Sequence, residues 1–248
     1  MVAAVFLAPV PARAAVADQV SVATLLSATG MVRIRETSAS KYEEAKVGRK
    51  LPEGSQVITL EKSRCELLFN EGRFLRLAEG TTVNVTRIAN KKSMRTFVQL
   101  IRGRVRAMVD RAVGEGDFGV YGATVVSAVK GTKYDVIRNE KDEITVAVDE
   151  GRVWVAEIKS ENPDEVDAVM MALMLGKIGM DIREGDMLNV IPGSPFPKLP
   201  VPMPKNFPSP WAAPGGAAPG GAAPTGAGPA NQKNPGPAMP GFGGFGFP

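Results

Sequence analysis

The sequence predicts an all-β fold, either a β-solenoid or roll or a sandwich of many short strands. It also predicts one inserted helix near residues 163–175 and a disordered Pro/Gly-rich tail. Three observations carry this. Between Met31 and Ile158, apolar and polar residues alternate in short runs punctuated by glycine. Two turn patterns recur along the chain. Proline and glycine crowd the C-terminal end: residues 192–248 hold 16 prolines and 12 glycines, against 4 and 15 in the other 191 residues. A chain of 248 residues then divides into an export-signal remnant at 1–17, one folded domain over 18–193 and a tail over 194–248.

The strands come first. Candidates are 31–35, 56–60, 64–69, 73–77, 82–88, 96–101, 104–109, 118–121, 124–129, 133–138, 143–148 and 152–158, with a last one at 187–191. Val105, Ala107 and Val109 share one face of their run, and Arg104 and Arg106 the other; Ile144, Val146 and Val148 share a face in theirs. A period of two places successive side chains on opposite faces, and many such runs at short spacing point to sandwich, barrel or solenoid. The first recurrent turn centres on Glu-Gly: Glu53-Gly54, Glu79-Gly80 and Glu184-Gly185. The second is Gly-Arg-apolar: Gly72-Arg73-Phe74, Gly103-Arg104-Val105 and Gly151-Arg152-Val153. Glycine supplies the positive φ that a tight turn needs before a strand restarts. The spacing is irregular, so similar strand–turn–strand units are expected rather than a strict repeat array.

The helix is announced by Asn162 as N-cap, Pro163 in the first turn, and acids at Asp164 and Glu165, the latter placed for a capping box. Val166, Val169, Met170, Leu173 and Met174 form an apolar stripe, and Gly176 provides a stop. The stripe is expected to pack on the β core as a lid. After Val201 the tail has almost no large aliphatic residue and cannot offset its ordering entropy by burial. Its end, with Phe242, Phe245 and Phe247 spaced by glycine, is a candidate partner contact.

Composition narrows function. The tail contributes Lys198, Lys205 and Lys233 and no acid, so the rest carries 27 basic against 26 acidic residues. A near-neutral fold gives no electrostatic footprint for nucleic acid. There is no histidine and a single cysteine, Cys65, in a strand-like run. Triads built on histidine cannot exist, a disulfide framework cannot form within the chain, and the ligand set for zinc is depleted. No catalytic, cofactor-binding or metal-binding residue is therefore assigned. Acid pairs at Asp142-Glu143, Asp149-Glu150 and Glu184/Asp186 adjoin expected turns, where carboxylates serve solvation, and leave a carboxylate-only hydrolase as a minor alternative. At the start, residues 2–10 (VAAVFLAPV) are apolar and are followed by Ala12-Arg13-Ala14, a small-residue cleavage pattern. The segment is too short to span a bilayer and lacks a positive n-region, so the true start is expected upstream. These features predict a periplasmic or secreted protein that does not span the membrane.

The stretch 118–136, with Lys130-Gly131-Thr132 followed by Tyr134 between two strands, resembles the best-marked segment of FecR domains. Val148-Asp149-Glu150-Gly151-Arg152-Val153-Trp154-Val155 is similar to the family's next motif. The Gly54 turn resembles the family's Leu-x-x-Gly-Asp turn, with Ser55 in place of the usual aspartate, and the Gly72 turn its Asp-Gly-Ser step. Tyr121-Gly122 replaces a common Thr-Pro, Lys130 stands for the usual arginine, and the 162–176 helix looks like an insertion. The resemblance implies that Gly54, Gly72, Lys130, Gly131, Thr132, Tyr134 and Gly151 are structural motif residues. It further implies a periplasmic β module without the sigma-binding segment and membrane helix of FecR-type regulators. The expected function is non-catalytic binding of a protein or cell-envelope component. A periplasmic signal relay to a transcriptional regulator is the alternative.

Overall fold

A computed structural model of the chain describes residues 21–69, 72–90, 93–110, 118–129 and 131–211. The expected export segment, Lys130, the far tail and its Phe242, Phe245 and Phe247 lie outside the described residues. The strands are β1 (Ser21–Thr29), β2 (Val32–Arg35), β3 (Glu43–Glu44), β4 (Lys50–Pro52), β5 (Gln56–Thr59), β6 (Arg64–Phe69), β7 (Arg73–Leu77), β8 (Thr82–Asn90) and β9 (Ser93–Val109). They continue as β10 (Phe118–Gly122), β11 (Val125–Val129), β12 (Lys133–Arg138), β13 (Ile144–Glu150), β14 (Arg152–Glu157), then helix α1 (Pro163–Met174), β15 (Met180–Arg183), β16 (Asp186–Val190) and β17 (Val201–Pro202).

The ladders form two halves joined through β9. One half runs β4-β1-β6-β7-β9-β12-β13-β16-β17 and the other β3-β2-β5-β8-β9-β10-β11-β14-β15. All pairings are antiparallel except β10 on β9, where Phe118 to Tyr121 run parallel to Thr96 to Gln99. The chain advances along both halves together, crossing between them every strand or two. This is a roll, and it resolves the choice left open by the strand rhythm. The two halves bury one core between them, with Leu25, Leu67, Leu75, Val105, Tyr134 and Val146 from one and Ile34, Val57, Val85, Val120, Val125 and Val155 from the other. Phe69 and Phe118 meet across it edge-on, with centroids 5.3 Å apart.

Two runs read from the sequence as separate strands, 96–101 and 104–109, are one strand of 17 residues. Gly103, at φ +94°, is not a hairpin turn here. It is the corner at which β9 leaves the half beside β8 and joins the half beside β12. A Cβ at this position would lie 2.6 Å from Thr81 Cα, so only glycine fits.

A second, smaller core lies on the outer face of the β10-β11-β14 half. Phe97, Tyr121, Val126, Ala128 and Ala156 alternate with the inward residues and point out, where Val166, Met170 and Leu173 of α1 cover them. The helix is thus the expected lid. Asn162 caps it, its side chain accepting from the Asp164 N–H at 2.9 Å. The expected capping box is absent. Glu165 reaches further back instead, accepting from the Lys159 N–H and the Ser160 hydroxyl, each at 2.7 Å. At the other end the Gly176 and Lys177 N–H groups bond to the Leu173 and Ala172 carbonyls, the paired bonds of a Schellman turn.

Residues 194–208, placed in the tail by composition, belong to the same compact unit as the strands. Strand β17 pairs with β16, and Phe196 packs on the main core. Proline is compatible with an edge strand, which needs only one row of hydrogen bonds.

Candidate interaction surface

Gly54, Gly131, Thr132 and Gly151 sit where the chain crosses between the halves, and Gly72 turns β6 into β7 within one half. Strand β11 ends at Val129 in one half and β12 begins at Lys133 in the other, with Gly131 and Thr132 between them. Thr132 Oγ1 donates to the Arg152 carbonyl at 2.7 Å, and its own carbonyl accepts from the Val109 N–H at 2.9 Å. Gly151 passes so close that a Cβ there would lie 2.7 Å from the Gly131 carbonyl oxygen. Tyr134 is fully buried, with its hydroxyl 3.2 Å from Ser127 Oγ; Ser127 in turn donates to the Val120 carbonyl at 2.7 Å. Burial raises the phenol's pKa above its usual range. Gly54 and Gly72 occupy other turns: the Gly54 N–H bonds to the Val85 carbonyl at 2.8 Å, and the Gly72 carbonyl accepts from Asp110. The structure brings Gly131, Thr132, Tyr134 and Gly151 together and leaves Gly54 and Gly72 apart.

Five of the six acids flagged in the sequence are engaged by donors. Asp142 pairs with Arg138 at 2.8 Å, Asp149 with Arg106 at 2.5 Å, and Glu150 with Lys133 at 3.4 Å. Glu143 accepts from Asn139, and Glu184 from the Gly151 N–H. Among the described residues no three acids or cysteines group as a metal site would require. Cys65 is buried, and burial, with Glu66 as the lesser cause, pushes its thiol up to about 12.

Two charged centres were not foreseen. Asp135 is 1 % exposed although it points out of the sheet, and Arg104 and Arg106 both bind its carboxylate. The signal was present, since Asp135 falls opposite the Arg face of β9, but no rule applied to one sequence gives the pairing of two strands. The second is Glu161, which follows β14 and accepts from Gln99, the Ala123 N–H and Arg138. From Gln99 the side-chain bonds continue through Asn84 to Gln56 and Tyr42, across three strands and the residue before β3.

An accessible apolar feature lies at the C-terminal end of α1. A cavity of about 340 Å³ opens there, lined by Ala128 and Val129 of β11, Trp154 of β14, and Leu173, Met174 and Leu175. Its origin is local. Ala128 pairs directly with Trp154, so a small residue stands beside a large one on the outer face. The Schellman turn then carries the chain away and leaves Met174 and Leu175 at the rim, with Leu175 62 % exposed. Met171 and Ile178 are exposed beside them. The volume falls in the range of ligand pockets, and exposed apolar clusters of this kind mark interaction sites.

No curated protein matches the chain. Two crystal structures of a candidate anti-sigma factor from Parabacteroides distasonis are similar in part, at 17 % and 15 % identity with TM-scores of 0.43 and 0.42. In each case 59 % of either chain is covered, so the chain spans about three fifths of the length of those proteins. In sequence, residues 55–154 match the FecR protein family. The Gly72 turn, the crossover at Gly131, Thr132 and Tyr134, and the Gly151 contact all fall within this matched span.

Proposed function

We propose that this chain is a non-catalytic interaction module of the cell envelope, with the apolar end of α1 as its docking surface. The observation that carries the reading is the 340 Å³ cavity beside Trp154, rimmed by exposed Met174 and Leu175. Nothing in the main core needs these side chains to be large. A polar residue at position 175 would satisfy the helix end equally well. The export-like start supports a periplasmic or secreted location, and the FecR domain supports an envelope role. The carboxylate-only hydrolase has less support, because five of the six flagged acids are spent on cations, a side-chain amide and a backbone N–H.

The test is site-specific photo-crosslinking from position 175 in intact envelopes, in wild-type and Trp154→Ala backgrounds. A discrete protein adduct, lost in the Trp154→Ala chain with its circular dichroism unchanged, is the expected result. Adducts that are equal in both backgrounds, or absent in both, would sink the reading.

The FecR domain favours a second reading, a relay of an envelope signal to a transcriptional regulator. It expects a defined set of transcripts to change when the gene is deleted and to recover with the wild-type chain but not with Leu175→Asp. An unchanged transcript profile would argue against it.

A further inference from the structure

A row of side-chain amides crosses the outer face of the β2-β5-β8-β9-β10 half. Strand register places Arg35, Gln56, Asn84, Gln99 and Tyr121 side by side on β2, β5, β8, β9 and β10. The residues that alternate with the amides, Val57, Val83, Val85, Val98 and Leu100, belong to the main core. Gln56, Asn84 and Gln99 therefore face outward, and each is half-buried. Their side chains form one ladder. Gln99 donates to Glu161 at 2.5 Å, Asn84 to Gln99 at 2.8 Å, Gln56 to Asn84 at 2.7 Å, and the Tyr42 hydroxyl to Gln56. At Tyr121 the row passes under α1, and at Tyr42 it reaches an exposed ring.

The direction of the ladder is fixed at one end. Glu161 also accepts from the Ala123 N–H and from Arg138, and an ionised carboxylate can only accept. Gln99 must then turn its NH2 towards Glu161 and its carbonyl towards Asn84, and the same choice passes on to Gln56 and Tyr42. Each amide spends one of its two N–H donors and one lone pair of its oxygen on the ladder. These are the only side-chain hydrogen bonds the three amides make among the described residues. What remains is one N–H and one carbonyl lone pair per strand, repeated at the strand spacing of about 4.8 Å. Asparagine is disfavoured in strands, so a sheet selected only for stability has little use for this row. Beside it Tyr42 is 39 % exposed, and the Arg35 guanidinium, 4.9 Å from the ring centroid, braces one face of the ring.

We propose that this row binds a linear, uncharged glycan, with Gln56, Asn84 and Gln99 as its hydrogen-bonding floor and Tyr42 as the platform for one sugar ring. A sugar hydroxyl is donor and acceptor on one atom, which matches an N–H and a carbonyl offered together. Identical groups at regular spacing suit a polymer whose own groups repeat. The open face of the Tyr42 ring suits the apolar face of a pyranose. Charge and backbone pairing select against other occupants. The amides are neutral and Glu161 is paired with Arg138 at 2.7 Å, so the row offers no line of cations to a phosphate backbone. An extended peptide bonds through its main chain at a sheet edge, whereas this row lies mid-sheet, where β5, β8 and β9 already pair with one another. The site is separate from the α1 cavity and does not depend on it.

The experiment follows the side-chain NH2 resonances of the full chain by nuclear magnetic resonance during titration with two uncharged sugars, an N-acetylglucosamine tetramer and a cellulose-derived glucose tetramer. Saturable shifts at Gln56, Asn84 and Gln99 are expected. A response to both sugars marks recognition of hydroxyls, and a response to the acetylated one alone marks recognition of its acetamido groups. Asn84→Ala is expected to weaken binding about tenfold, since it removes one amide and breaks the ladder. Tyr42→Ala changes an exposed ring outside the core and should lower affinity with the fold unchanged, which keeps the test decisive should the first variant unfold. Ladder resonances that neither sugar moves at millimolar concentration, or an affinity unchanged in both variants, would overturn the proposal. Shifts produced by an uncharged glycine- and serine-rich peptide and by neither sugar would also overturn it, and would assign the row to a protein strand.

Discussion

Asp135 shows what single side chains contribute here. Its carboxylate is almost fully buried and binds two arginines that are themselves only 12 % and 11 % exposed. Such a group is costly to desolvate but more costly to remove, because its partners stay behind as buried charge. Asp135→Ala is expected to lower unfolding stability by about 3 kcal/mol, read as a shift in the urea midpoint at unchanged slope. Arg106 retains Asp149 at 2.5 Å, which keeps the loss from being larger. Cys65 makes a separate prediction. Buried, with its thiol pushed up to about 12, it is almost wholly protonated at neutral pH. A thiol reagent at neutral pH is expected to label it only as the chain unfolds, so labelling and loss of circular dichroism should follow one curve in denaturant. Rapid labelling of the native protein would contradict the burial.

At the scale of elements, α1 and its approach are coupled through Glu165. The Ser160 hydroxyl first, then the Lys159 N–H, hold its carboxyl below the ordinary value of 4.5. A depressed folded value means that the stabilisation is fully present above the ordinary value and is lost as pH falls through the folded one. Glu165→Gln is therefore expected to melt below wild type at about pH 7, with the gap closing as pH falls below the ordinary carboxyl value. A gap that stayed constant with pH would show that Glu165 does not act through its charge. The same element shows how far local signals reach. Asn162, Pro163 and Gly176 delimit the helix in the sequence as they do in the structure, because caps and stops depend on a few adjacent residues. Glu165 was legible as a cap but not in its partner, since Lys159 and Ser160 are brought to it by the turn that precedes the helix.

At the scale of the whole molecule, the roll and the far tail make different demands. Residues 212–248 carry few large apolar side chains, and a chain ending at Trp211 is expected to keep the thermal unfolding midpoint of the full chain. A clear drop would mean that the omitted segment packs on the fold. Shortening further into 195–208 is expected to lower the midpoint, because β17 pairs with β16 and Phe196 packs on the main core. By itself the sequence determined the strand alternation, the helix with its two ends, the glycine turns, the absence of histidine chemistry and the FecR motif. All of these are written in neighbouring residues. Only the tertiary structure decided that 96–101 and 104–109 are one strand, that Gly103 is a corner, that Asp135 lies under two arginines and that Val201 and Pro202 pair with β16. These are pairings between residues far apart in the chain. A glycine at positive φ looks the same in a sequence whether its strand turns back or carries on, and only the partner strand tells which.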